Sequence, residues 1–181
     1  FSDAEFVAEF CKKMQLDFYH TEVDVRLFAS ANGFSLEEAG RILRYRYLKS
    51  LAEKLGGAKI ATGHHSDDQA ETILLNLLRG AGSSGLSGMP INDKGGIIRP
   101  LLVFSRYEIE KYCQANQLQS RTDSTNFSTD YLRNQVRINL LPELAKHYNP
   151  GIRELLCRTA SIMSEQNDFV QKSAEKLLSE V

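Results

Sequence analysis

Apolar residues recur every three or four positions over several stretches of the chain, which is the spacing of one face of an α-helix. Before four of these stretches a serine is followed three residues later by Glu or Gln, the pattern of a capping box at a helix start. The pairs are Ser2 with Glu5, Ser35 with Glu38, Ser66 with Gln69, and Ser105 with Glu108. The pattern therefore predicts helices over about 3–15, 36–55, 67–79 and 106–117.

Shorter runs between these helices have the composition of β-strands. Asp17–Val25 alternates in part and is rich in aromatic and β-branched residues, whereas Ala58–Thr62 is short, apolar and preceded by two glycines. Ile97–Val103 is a third candidate, in which Pro100 indicates an edge or an end of a strand. Helices that alternate with such strands predict an α/β fold with a parallel sheet and right-handed crossovers.

The last third of the chain has no further strand pattern. A helix is predicted over Thr129–Leu141, and Asn149 with Pro150 is a favourable start for another, because proline fits the first helical position. From Ile152 onward apolar residues keep a helical spacing to the end, which predicts one long helix or two joined ones.

Composition and cysteine usage narrow the class of protein. The 181 residues are 42% hydrophobic and 25% charged with a net charge of −1, which is ordinary for a globular domain. No apolar run approaches the roughly 20 residues that a membrane span needs, so we expect no membrane partner. Cys11, Cys113 and Cys157 are scattered without a C-x-x-C pair, which favours a reducing cytoplasm and gives no support to a zinc or iron–sulfur site.

The densest group of titratable side chains, HHSDDQAE, follows the predicted strand Ala58–Thr62. Ligands of open α/β sheets bind at the carboxyl ends of strands, and Asp68, Glu71 and Arg79 share one stripe of the helix predicted there. A carboxylate pair can hold Mg²⁺ beside pyrophosphate, grip an ammonium group or accept its proton, and a histidine can bind phosphate. The alternative is a polar stripe that faces water and complements the helix dipole.

The loop that follows, Arg79–Pro90, contains four glycines. Glycine-rich loops let backbone N–H groups approach phosphate, but this loop fits neither the Walker A pattern nor the dinucleotide-binding fingerprint. A flexible connection is therefore the simpler interpretation.

Several stretches, in this order along the chain, resemble the motifs of the tRNA(Ile)-lysidine synthases, a branch of the PP-loop ATP pyrophosphatases. They are SLEEAGRILRYRYL at 35–48, GHHSDDQAETILLNLLRGAG at 63–82 with GLSGM at 85–89, IIRPLL at 97–102, and DSTNFSTDYLRNQVRINLLPEL at 123–144. The resemblance spans most of residues 3–150. It implies an α/β, adenine nucleotide alpha hydrolase-like domain whose N-terminal part, with the family's SGGxDS phosphate loop, is missing from this sequence.

The same resemblance implies a division of the chain and an activity. We expect a truncated catalytic domain over 1–122, a helical extension over 123–148, and a linker helix over 149–181 that leads toward absent C-terminal domains. The implied enzyme is a cytoplasmic ligase that uses ATP and Mg²⁺ to adenylate the wobble cytidine in the anticodon loop of an isoleucine tRNA. The amine of L-lysine then displaces AMP to give lysidine, and a homodimer is one possible assembly.

Roles for individual residues also come from the resemblance. The implied catalytic residues are His64, Asp68 and Glu71, of which Asp68 and Glu71 would hold lysine or Mg²⁺. The implied contacts to nucleotide or tRNA are Arg41, Arg44, Arg79, Arg133 and Arg137, and the residues expected to shape a loop are Asp123 and Asn126.

Two alternatives stay open at this point. Another PP-loop enzyme such as a tRNA thiolase would be expected to carry cysteine pairs, which this sequence lacks. A non-catalytic RNA-binding module is the second alternative, and it requires that the native chain be this short.

Overall fold

A computed structural model describes residues 3–121 and 132–179 of the chain. These residues form two compact units, Phe1–Ile60 and Ala61–Val181, each of which has its own internal packing. The division expected from the sequence stays a prediction: a catalytic domain over 1–122, a helical extension over 123–148 and a linker helix over 149–181.

The first unit contains three helices, α1 (Asp3–Lys13), α2 (Val25–Asn32) and α3 (Leu36–Lys54). The Ser35 hydroxyl accepts a hydrogen bond from the Glu38 N–H at 3.2 Å, which confirms the predicted start of α3. Helix α2 was not predicted; Asp24 caps its start, and Gly33, with a φ of 70°, ends it.

The predicted strand Asp17–Val25 is wrong in this structure. Within the described residues, 16–24 pair with no neighbouring strand, and Val25 begins a helix. Aromatic and β-branched composition favours an extended backbone, but a strand exists only where a second strand supplies hydrogen bonds.

Strand β1 (Ile60–Ala61) lies where the first unit ends and the second begins along the chain. The second unit continues through α4 (Ser66–Leu78), α5 (Ser83–Leu86), β2 (Ile97–Ile98) and α6 (Arg106–Ala115). The two strands form a small parallel sheet, and the Thr62 N–H donates to the Ile98 carbonyl at 3.0 Å. Both strands lie where the sequence predicted them, although each is only two residues long. The α/β class is confirmed.

The C-terminal part of the second unit is helical. It comprises α7 (Leu132–Gln135), a π-helical turn (Val136–Leu140), α8 (Leu141–His147) and α9 (Ile152–Ser179). The wider π turn lies just before Pro142, whose missing N–H cannot complete a regular helical hydrogen bond. Helix α9 is one continuous helix of 28 residues, so the choice between one helix and two is settled. Among the described residues, no helix is long and apolar enough to cross a membrane.

The core of the second unit forms on one face of α4. Ile73 and Leu74 pack there against Val136 of the π turn, Leu141 of α8 and Leu156 of α9. This apolar contact holds the helices that follow residue 131 against α4. Arg133 and Arg137 of the same segment reach the carboxylate of Glu71 on α4.

Candidate active site

Helix α4 starts one residue earlier than the sequence predicted. His65, with an extended backbone (φ −125°), takes the N-cap position, and its N–H donates to Asp68 Oδ2 at 3.1 Å. The predicted pair of Ser66 with Gln69 is therefore wrong as a capping box. Gln69 instead bonds both backbone groups of Met89, donating to its carbonyl at 3.0 Å and accepting from its N–H at 2.8 Å.

The glycine-rich loop packs against α4 through these contacts. A Cβ added at Gly88 would lie 2.6 Å from the Gln69 Oε1, and the φ of +65° at Gly88 also disfavours other residues. Asn76 of α4 donates to the Gly85 carbonyl at 2.7 Å. The space at Gly88 is thus filled by protein, and the loop offers packing against α4 in place of a phosphate cradle.

Two carboxylates of α4 and two arginines from beyond residue 131 form one group of ion pairs, which we call the ion cluster: Asp68, Glu71, Arg133 and Arg137. Arg137 Nε lies 2.6 Å from Glu71 Oε1, and Arg133 Nε lies 2.9 Å from Glu71 Oε2. The Nη2 atoms of Arg137 and Arg133 lie 3.1 and 3.3 Å from Asp68 Oδ1. The structure thus brings together four of the residues that the sequence singled out.

The ion cluster is largely removed from water. The side chain of Glu71 is 2% exposed and that of Asp68 12%, whereas Arg133 and Arg137 keep 27% and 29%. The hydrogen bonds that Arg137 donates to Glu71 raise the pKa of Arg137, against the lowering effect of burial and with further help from the negative charges of Glu71 and Asp68. The alternative in which this stripe of α4 simply faces water is therefore wrong.

The arrangement of the two carboxylates does not fit a Mg²⁺ ion. Both oxygens of Glu71 accept from arginine N–H groups, Asp68 Oδ1 does the same, and Asp68 Oδ2 accepts from the His65 N–H. A hard cation needs oxygen lone pairs directed at it, and two guanidinium groups beside it would repel it. Within the described residues, no group of three or more His, Cys, Asp or Glu side chains is placed to hold a metal ion. A magnesium site at Asp68 and Glu71 stays a prediction that this geometry does not support.

The guanidinium groups of Arg133 and Arg137 are suited to bind an anion. Guanidinium groups match phosphate oxygens with paired N–H donors, and Arg133 and Arg137 each keep about a quarter of the side chain exposed. These two residues could therefore hold phosphate groups of ATP.

Asp67 is a residue whose structural role the sequence did not reveal. Its Oδ2 accepts the Arg106 N–H at the start of α6 at 2.9 Å, and its Oδ1 lies 3.1 Å from Arg153 Nε of α9. The ring of His65 also lies beside it, with Nδ1 3.6 Å from Asp67 Oδ2. Asp67 thus joins the starts of three helices next to the ion cluster. No spacing rule links residues 67, 106 and 153.

The structure distinguishes the two adjacent histidines. His65 lies against the ion cluster, with Nε2 3.4 Å from Asp68 Oδ2, and this residue was not among the predicted catalytic residues. His64 was among the predicted catalytic residues, and its Nδ1 lies 2.9 Å from the hydroxyl of Thr62. A catalytic role for His64 stays a prediction.

The remaining predicted residues lie elsewhere. Arg79 is exposed at the end of α4, about three helical turns from Asp68. Arg41 and Arg44 are exposed on α3 in the first unit, where Arg41 lies 5.2 Å from the centre of the Tyr45 ring. Asp123 and Asn126 lie outside the described residues, so their predicted loop role is untested.

Comparison with known proteins places the chain in a family. A family model for the PP-loop domain matches residues 1–144. The chain belongs to the PP-loop family. It is 40% identical over 174 residues to the tRNA(Ile)-lysidine synthase of Clostridium acetobutylicum, and 38% identical over 182 residues to that of Geobacillus kaustophilus. These matches cover 96% and 99% of this chain but only 38% and 39% of the two relatives.

A solved structure shows the same fold. The U34-tRNA thiolase NcsA from Methanococcus maripaludis, with its 4Fe-4S cluster, superposes with a TM-score of 0.69 at 17% identity. The match covers 89% of this chain and 56% of that one. At this identity the likeness shows only that this PP-loop chain and the thiolase share a fold.

One cysteine of this PP-loop chain is held as a thiol. Burial raises the pKa of Cys157 to about 11, with further contributions from the negative charges of Asp67 and Glu154. Its sulfur donates to the Ser66 carbonyl at 3.3 Å. Such a thiol is a poor nucleophile and a poor metal ligand at neutral pH, because both roles need the thiolate.

Proposed function

We propose that the protein containing this chain ligates L-lysine to the wobble cytidine of an isoleucine tRNA, using ATP and an adenylated cytidine intermediate. One observation carries the proposal: the ion cluster joins the carboxylates of the GHHSDDQAET stretch to the arginines of the RNQVR stretch. These are two of the stretches that resemble the tRNA(Ile)-lysidine synthases. Identity of 37–40% to several curated synthases of that name supports the same assignment.

The geometry suits the chemistry of amine transfer. L-lysine binds as an ammonium ion, which negative charge attracts, and this group must lose a proton before its nitrogen attacks the activated cytidine. Asp68 and Glu71 offer two carboxylates that are mostly shielded from water, where such attraction is stronger than in solution. Arg133 and Arg137 offer positive charge for the phosphate that leaves.

The substrates and setting follow from the same proposal. The partners are ATP, L-lysine and the anticodon loop of the tRNA, Mg²⁺ accompanies the nucleotide, and the compartment is the cytoplasm. A Mg²⁺ ion would bind through ATP phosphates, since Asp68 and Glu71 are both engaged by arginines. Dimer formation stays a prediction.

Cys157 is a poor candidate for the cysteine nucleophile of a thiolase, because burial raises its pKa to about 11. This residue therefore gives no support to the thiolase alternative.

The test is incorporation of radiolabelled lysine into an isoleucine tRNA transcript, with ATP, by the protein expressed from its intact gene. We expect incorporation that depends on ATP and on cytidine at the wobble position. A transcript with uridine at that position is the matched control and should stay unlabelled. Lack of labelling under conditions where a characterised synthase works would rule out the proposal.

A further inference from the structure

The ion cluster contains equal numbers of positive and negative groups. Glu71 and Asp68 contribute two negative charges, and Arg133 and Arg137 contribute two positive ones. Because the side chain of Glu71 is nearly inaccessible to water, solvent cannot replace an arginine that leaves it. The cluster therefore tolerates the loss of an internal partner only when another ion of the same sign takes its place.

The two kinds of ligand expected at this site would each disturb that balance. An ammonium ion that binds both carboxylates competes with guanidinium N–H groups, since both oxygens of Glu71 and Oδ1 of Asp68 already accept hydrogen bonds from them. A phosphate that binds the guanidinium groups draws them away from the carboxylates. Either ligand alone leaves one unpaired charge behind, whereas both together restore pairing on each side.

We propose that the ion cluster couples the two ligands, so that an anion on Arg133 and Arg137 and an ammonium ion on Asp68 and Glu71 each strengthen the binding of the other. The identity of the ligands rests on the proposed function, in which they are a nucleotide phosphate and L-lysine. The exposed quarter of each arginine gives an anion access to the cluster. In this structure the four side chains of the ion cluster pair with one another.

Calorimetric titration of the full-length protein tests the coupling. L-lysine is titrated alone and in the presence of a saturating non-hydrolysable ATP analogue, and the analogue is titrated with and without lysine. We expect each ligand to lower the dissociation constant of the other by about 5- to 150-fold, the usual range of coupling between sites, and by the same factor in both directions. Equal dissociation constants with and without the second ligand would overturn the inference.

Arg137→Met identifies the cluster as the source of the coupling. Loss of one guanidinium leaves excess negative charge on the carboxylates, so lysine alone should bind more tightly and the analogue should no longer help it. Arg137→Lys restores the positive charge and should recover part of the coupling. Arg106→Met removes a surface arginine of the same unit, which pairs with Glu110 at 2.7 Å, and should leave the coupling unchanged. Thermal melts of each variant confirm that it is folded, and equal effects of Arg106→Met and Arg137→Met would contradict the inference.

The outcomes separate this inference from the proposed function. A protein that labels tRNA with lysine but shows no coupling keeps its function and loses the inference. Coupled binding without labelling of tRNA keeps the inference and overturns the function. Absence of lysine binding in every titration overturns the inference, and the labelling assay then decides the function separately.

Discussion

Two arginine–glutamate pairs of nearly equal length lie in opposite surroundings. Arg137 Nε lies 2.6 Å from Glu71 Oε1 in the ion cluster, and Arg106 Nε lies 2.7 Å from Glu110 Oε1 on α6. The first glutamate is 2% exposed, whereas the side chains of the surface pair are more than half exposed. The distance between the charges is thus the same, and only the access of water differs.

This difference decides what each pair does. At the surface, water replaces a lost partner, so the pair adds little to stability and nothing specific to function. In the ion cluster water is excluded, so each charge depends on its partner and responds to any ligand that competes for it. Burial therefore makes each charge of the ion cluster depend on its partner.

The largest expected effect is that of Glu71→Ala. Its removal leaves Arg133 and Arg137 with only Asp68 between them, and we expect the free energy of unfolding to fall by about 3–5 kcal/mol. Lysine incorporation should be abolished. Urea denaturation of the variant and of the control Glu110→Ala measures the contrast, and similar losses for the two variants would show that burial does not matter here.

Asp68→Asn should have a smaller effect on stability. The amide keeps an oxygen that can accept hydrogen bonds, but it loses the charge that strengthens those from Arg133 and Arg137, worth about 1.5–3 kcal/mol. We expect a folded protein with little lysine incorporation, as measured by denaturation and by the labelling assay. Full activity in this variant would remove Asp68 from the proposed chemistry.

Ser105→Ala tests the carboxylate of Glu108, which accepts hydrogen bonds from the neutral N–H and hydroxyl of Ser105. Ser105 caps α6, and loss of its hydroxyl should destabilise that helix by about 1 kcal/mol. Hydrogen bonds from the Ser105 backbone, and then from its hydroxyl, lower the pKa of Glu108 from its ordinary value. Because folding lowers the pKa of Glu108, the hydrogen bonds to its carboxylate stabilise the folded state at pH values above the pKa of Glu108 in the unfolded chain. This stabilisation is lost as the pH falls through the lower pKa of Glu108 in the folded chain.

The pKa of Glu108, measured by NMR titration, should rise in the Ser105→Ala variant. The rise should be partial, because the backbone N–H bond, the larger cause, remains. An unchanged pKa would mean that the hydroxyl contributes nothing to it.

The smallest expected effect is that of Arg106→Met. Its pair with Glu110 is a helical i,i+4 pair in water, for which we expect about 0.3–0.5 kcal/mol at low salt and less at high salt. Denaturation in low and high salt measures it. A fall in the free energy of unfolding as large as that of Glu71→Ala would contradict the expected difference between the buried and the exposed ion pair.

Local sequence patterns predicted much of the fold. Ser35 and Ser105 mark the starts of α3 and α6, since a side chain that accepts from an N–H three residues on acts within a single helical turn. The same local rule failed at α4, where His65 is the N-cap, its N–H donates to Asp68, and Gln69 bonds Met89, 20 residues distant. The strand predicted at Asp17–Val25 failed because strand formation needs a partner elsewhere in the chain.

The sequence by itself determined that Asp68 and Glu71 lie on one stripe of a helix that follows a strand, because helical spacing is a property of neighbouring residues. It also placed the chain among relatives through several ordered stretches. Only the tertiary structure decided that Arg133 and Arg137 meet those carboxylates and that Arg153 reaches Asp67. Packing of residues more than 60 positions apart sets these contacts, along with the burial that gives the ion pairs their strength.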